Sequence, residues 1–176
     1  RQYGAQSMAA PIRRVVMRSA ASAMAGADRV RWHYGPGFDA ARAGAQHAAL
    51  AGLVAASGAT IEWLPDVEDG LADSVFTHDP SLMTDRGAVI LSMGKALRRL
   101  EPGLHEEAYR RMGIPILGRI QDPGQVEGGD CVWIDTHTLA VGRGVRTNEG
   151  GIRQLGAILA PLGVEVVGYD LPLWQG

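Results

Sequence analysis

A chain of 176 residues, 46% of them hydrophobic, is long enough for one domain with a substantial core, since chains of this size bury roughly 70% of their unfolded surface. A formal charge of −2 at pH 7 and the lack of any long Lys/Arg run argue against a nucleic-acid backbone or an anionic membrane as partner. One cysteine forms no internal disulfide, the opening RQYGAQSMAAPIRRVVMRSA lacks a signal peptide's apolar core, and no window approaches the roughly 18 apolar residues of a membrane helix, so a soluble, cytoplasmic protein is expected.

In chain order, Ile12 to Arg18 is a short β-branched run that reads as a strand, followed by an Ala/Gly/Ser-rich loop through HYGPG. Asp39 is the predicted N-cap of a helix over AARAGAQHAALAGLVAAS, with Ala43, Leu50, Leu53 and Val54 on its apolar side and Gly58 as its stop. TIEWLP reads as a strand. Further strands are expected at SVFT and AVILSM, then a helix over about Glu101 to Met112, then a strand at ILGRI. The order then recurs: a strand at Cys131 to Ile134 after Gly129-Asp130, a second at Thr138 to Gly142, a helix in GIRQLGAILAPLG, and the strand VEVVGYD. Two strands, a helix and a strand therefore repeat with a shift near 50 residues, placing Arg98 and Arg146 at comparable points just past a strand. The unit occurs about two and a half to three times in what reads as a single domain over residues 1–176.

Several residues are candidates for chemistry. Asp73 opens DSVFTHDP and Asp79 closes it before Pro80. On a regular strand the two carboxylates would share a face yet lie about 20 Å apart, so they meet one small ligand only if the chain bends, for which His78-Asp79-Pro80 offers a place. A turn residue and a loop charge is the alternative. Glu127, Gly128, Gly129 and Asp130 lead into an apolar strand, as either a ligand-facing turn or a plain glycine turn. Arg98 and Arg146 are planar cationic forks that suit a carboxylate. Cys131 alternates with Trp133, and Val132 with Ile134, a strand apolar on both faces, which marks a buried, inert thiol rather than a nucleophile. His33, His47, His105 and His137 read as surface or capping residues, none in a metal-ligand pattern. The glycines around Arg143 lack the spacing of a phosphate loop.

DSVFTHDP, GAVILSMGKALRRLE, EGGD and VGRGVRTN, in this order and spacing, resemble the guanidino-group-modifying enzymes, the dimethylarginine dimethylaminohydrolases above all, with arginine deiminases and amidinotransferases as relatives. The resemblance extends to ARAGAQHAAL and covers nearly all of the chain. It implies an α/β propeller of the pentein type, five modules around a central active site. It implies that Asp73 and Asp79 hold a substrate guanidinium, that Arg98 and Arg146 hold its α-carboxylate, with Arg99 competing for the first role, and that Glu127 orients a catalytic histidine. His78 stands where the dimethylaminohydrolases usually carry a glutamate and the deiminases a basic residue. In such enzymes a cysteine thiolate attacks the guanidinium carbon, an amine or ammonia leaves, and water resolves the thiouronium adduct, with no metal or organic cofactor. Family members carry the histidine shortly after a position matching the last strand here and the cysteine far downstream, beyond Gly176. The expectation is therefore the first three modules of a hydrolase, inactive alone, paired with a complementary C-terminal fragment or a second copy. A non-catalytic interaction protein of propeller fold is the alternative, and an arginine deiminase or amidinotransferase a further one.

Overall fold

The computed structural model describes residues 3–66 and 70–172 and forms a mixed α/β fold of two compact units, one of residues 11–77 and one of residues 1–10 with 78–176. In the first unit, β1 (Arg14–Met17) and β2 (Thr60–Trp63) pair in parallel, Arg14 beside Thr60 and Met17 beside Trp63. Helix α1 (Ala20–Met24) and helix α2 (Ala40–Ala56) connect them. Asp39 caps α2 as expected, its carboxylate accepting from the Arg42 N–H at 3.1 Å, and Gly58 ends it with φ +89°.

Three expectations fail in this unit. Helix α1 forms where a loop was expected, because Ala20, Ala23 and Met24 bury one of its faces. Helix α2 packs through small residues: a Cβ on Gly44 would lie 3.4 Å from the Cβ of Ala21, and Ala51 is its buried residue, whereas Leu50 and Leu53 are 51% and 70% exposed. Finally, SVFT is no strand. Residues Ala72–Val75 form a 3-10 turn, in which the N–H groups of Ser74 and Phe76 reach the carbonyls of Leu71 and Asp73.

The second unit holds two copies of one module. Strand β3 (Ser81–Thr84) runs antiparallel to β4 (Gly87–Ile90), helix α3 (Glu101–Arg111) crosses over, and β5 (Ile116–Arg119) pairs in parallel with β4. In the same way β6 (Cys131–Trp133) pairs antiparallel with β7 (Thr138–Arg143), helix α4 (Glu149–Leu159) crosses over, and β8 (Glu165–Asp170) pairs in parallel with β7. Each sheet has its second strand at the centre. The repeat predicted from the sequence is thus present, with β3 supplied by SLMT instead of SVFT. A Cβ on Gly118 of β5 would come within 2.9 Å of Ile158 on α4, so the copies pack closely. Their shared core joins Leu82 and Val89 to Cys131, Leu139, Val141 and Leu155. Asn148 fastens α4: its side chain accepts from the N–H groups of Gly151 and Gln125 and donates to the Pro123 carbonyl. Among the described residues, no helix is long and apolar enough to cross a membrane.

Candidate functional site

Loops that follow or precede the strands of the second unit bring four of the singled-out residues together. Asp79 lies just before β3. Its carbonyl accepts from the Gly128 N–H at 2.9 Å and its Oδ1 from the Gly129 N–H at 3.1 Å. Both glycines are required by this approach: a Cβ on Gly128 would sit 2.1 Å from the His78 carbonyl oxygen, and one on Gly129 would sit 2.9 Å from the Asp79 carboxylate. EGGD is therefore a close-packed turn against Asp79, formed as the 3-10 segment Gly128–Asp130.

The other Asp79 oxygen, Oδ2, accepts from Arg98 Nη1 at 2.7 Å. Arg98 is 3% exposed. Its Nε lies 3.0 Å from both oxygens of Glu101 and its Nη2 lies 2.8 Å from Glu101 Oε2, a bidentate fork on a carboxylate that is fully buried. Burial alone would lower the Arg98 pKa; the hydrogen bonds and charge of Glu101, then of Asp79, outweigh it and raise the pKa. Its Nη1 also lies 4.0 Å from Glu127 Oε2.

Glu127 is buried. Its Oε1 accepts from the Gly94 N–H at 3.0 Å, and Arg146 Nη1 lies 3.1 and 3.2 Å from its two oxygens. The Arg146 side chain remains 40% exposed. Gly94 is needed here too, since a Cβ would meet the Arg146 Cα at 2.9 Å. Thr147 extends the array, accepting from the Glu127 N–H and donating to Asp130 Oδ2 at 2.6 Å. Three carboxylates thus hold two guanidinium groups, with Asp130 next to them on Thr147, an acidic excess that suits a cationic ligand.

Asp73, in the first unit, is buried, and its Oδ1 accepts from the Tyr34 hydroxyl at 2.7 Å. His78 and Arg99 are exposed. Sequence reading took Glu101 only as a helix start, although its i,i+3 spacing from Arg98 was a usable signal. It also took His105 for a surface or capping residue. His105 is instead buried, its Nδ1 3.1 Å from the Ser81 hydroxyl, which also pairs with the Tyr109 hydroxyl at 2.7 Å. That reading failed because His105 follows Glu101 by one helical turn and shares its inward face. Among the described residues, no cluster of His, Cys, Asp and Glu has the makings of a metal site. A depression of about 260 Å³ on the β6–β8 sheet is lined by Asp130, Val132, Ala140, Gly142, Tyr169 and Leu171. It is mostly apolar and includes neither arginine of the cluster.

Cys131 is buried, but only its own face of β6 is: Val132 and Ile134 are exposed. Burial, and then the charge of Asp130, push its thiol up to about 12. We expect native protein to react with an aromatic disulfide reagent at pH 8 on the order of 100-fold more slowly than unfolded protein, read as absorbance of the released thiolate. The folded state keeps a proton that the unfolded chain releases near pH 9.0, so this stability is intact below pH 9 and lost as pH rises toward 12. Cys131→Ala should remove that part of the alkaline loss in urea melts.

The arginine deiminase family model matches residues 64–162. The N(G),N(G)-dimethylarginine dimethylaminohydrolase of Streptomyces coelicolor is 40% identical over 102 residues, 58% of this chain and 39% of the relative. That of Pseudomonas aeruginosa is 37% identical over 126 residues, 72% of this chain and 49% of the relative. A solved structure of a mutant Pseudomonas aeruginosa dimethylarginine dimethylaminohydrolase complexed with citrulline matches with TM-score 0.77 at 30% identity, over 93% of this chain and 62% of that one. The chain spans less than half the length of these two curated relatives. By the family match, by identity to these relatives and by a fold shared along nearly its whole length, the chain belongs to the arginine deiminase family, together with the dimethylarginine dimethylaminohydrolases.

Proposed function

We propose that this chain carries the substrate-holding part of a hydrolase acting on the guanidino group of an arginine derivative, dimethylarginine being the favoured substrate. The observation that carries this reading is the cluster of Asp79, Arg98, Glu127 and Arg146 at corresponding ends of two modules. A carboxylate offers about four acceptor positions; Asp79 uses two, on Gly129 and Arg98, and keeps an edge for a flat cation. Asp73 is the second acid proposed for the guanidinium, and His78, next to Asp79 in sequence, a further substrate contact. Arg146, still partly exposed, is proposed for the α-carboxylate. Arg98, expected to share that task, is turned inward onto Glu101 and Asp79, and its proposed part is to hold Asp79.

Glu127 is proposed to exchange Arg146 for the ring of a catalytic histidine, which would lie outside these 176 residues together with the nucleophilic cysteine; Cys131 is too deeply buried to serve. The carboxylates then act by positioning: they fix the guanidinium plane so that a thiolate meets its carbon at the right angle. The adduct is resolved by water, giving citrulline and dimethylamine. Further modules are proposed to complete a five-module propeller, in one protein or through a complementary chain. The exposed Val132, Ile134, Tyr169 and Leu171 support such a contact.

Calorimetric titration tests the binding part. L-Arginine and dimethylarginine should bind, and Asp79→Ala should weaken both by roughly 10- to 100-fold, the worth of a charge-assisted hydrogen bond. Arg146→Ala should weaken arginine while leaving agmatine, which lacks the carboxylate, unchanged. Binding of neither guanidino compound by the wild-type chain would reject the reading.

A further inference from the structure

Arg98 presents a difficulty for a site that is to receive a guanidinium, because it is itself a guanidinium within bonding distance of the receiving carboxylate. Left to itself, an arginine beside a carboxylate closes on it with two parallel N–H bonds, its preferred geometry. Arg98 instead reaches Asp79 with Nη1, at Oδ2. Its two-nitrogen edge, Nε and Nη2, is taken by Glu101. Glu101 sits in the first turn of α3, where a helix favours a negative charge, and is fully buried.

The geometry points to Glu101 as a positioning residue that restrains Arg98 from occupying Asp79, so that the acid stays open to a substrate guanidinium. This rests on the reading of Asp79 as a guanidinium acceptor. Arg98 then orients Asp79 from one side, the Gly129 N–H from the other, and the side-chain torsion that would otherwise range broadly is set. Without the Glu101 carboxylate, the freed edge of Arg98 turns to both Asp79 oxygens and acts as a built-in competitor.

The Gly129 amide reports this without any ligand, since it donates to the Asp79 carboxylate, while the adjacent Gly128 amide donates to the Asp79 backbone carbonyl. Amide hydrogen exchange by NMR on Glu101→Gln should show Gly129 exchanging about tenfold faster, with Gly128, Val89 and Leu139 unchanged. Arginine affinity should fall about tenfold in the same variant. Arg98→Lys/Glu101→Gln, which keeps a charge but has no two-nitrogen edge, should retain Gly129 protection and recover most of the affinity. An unchanged Gly129 amide in Glu101→Gln, or faster exchange at all four amides alike, overturns the proposal. Should Glu101→Gln alone not fold, loss of Gly129 protection in the double variant overturns it and retention supports it. If the wild-type chain binds no guanidino compound, the functional reading falls while the amide response still decides this one.

Discussion

Glu101→Ala is expected to lower the unfolding free energy by about 3–5 kcal/mol, the loss typical when one member of a buried ion pair is removed. Arg98 is 3% exposed and Glu101 fully buried, and a guanidinium cannot shed its charge. Alanine would therefore take the Glu101 carboxylate away from Nε and Nη2 of a buried cation. Asp79 and Glu127 offer partial compensation, Asp79 at 2.7 Å and Glu127 at 4.0 Å. Replacing both partners with Arg98→Met and Glu101→Leu removes the charge together with its partner and should cost far less, as apolar replacements of buried pairs do. Urea melts at a constant m value would measure both. A loss under about 1 kcal/mol for Glu101→Ala would mean that Arg98 finds equivalent partners and that the pair is not a structural unit.

Gly128→Ala should cost about 3 kcal/mol, the upper end for overpacked interiors. The new Cβ would fall 2.1 Å from the His78 carbonyl oxygen and 3.0 Å from its carbon. These are backbone atoms, so no side-chain rotation gives relief. The lead into β3 and the 3-10 turn must move apart, breaking the Gly128 bond to the Asp79 carbonyl and the Gly129 bond to its carboxylate. Stability and ligand affinity should therefore fall together. Gly103→Ala is the natural control: it lies in α3 with open space at its Cβ, and alanine there should stabilise by up to about 1 kcal/mol. Equal melting behaviour for the two variants would show that the approach at Gly128 relaxes without cost.

Much of the architecture was legible because it depends on local rules. The Asp39 cap and the Gly58 stop of α2 satisfy or release backbone groups within one turn, a rule local to the chain. The module repeat followed from the recurrence of apolar runs at similar spacing, a property of order that survives errors in individual strands. One such error was the exchange of SVFT for SLMT. Both are short runs with strand-forming residues, and what decides between them is pairing: SLMT lies beside GAVI, with Ser81 opposite Ile90, while Ala72–Val75 closes a turn.

By itself the sequence determined the modular order, the ends of α2 and most of the acids and arginines to watch, because periodicity, capping and motif spacing are written along the chain. Only the tertiary structure decided which partners those charges take: that Arg98 faces inward onto Glu101, that Arg146 leans on Glu127, that EGGD closes against Asp79 and that His105 is buried. The physical reason is that a charged side chain is held by whatever counter-charge lies within about 4 Å. For Asp79 that counter-charge is Arg98, 19 residues away, and its other donor, the Gly129 amide, comes from 50 residues away, pairings that no local pattern encodes.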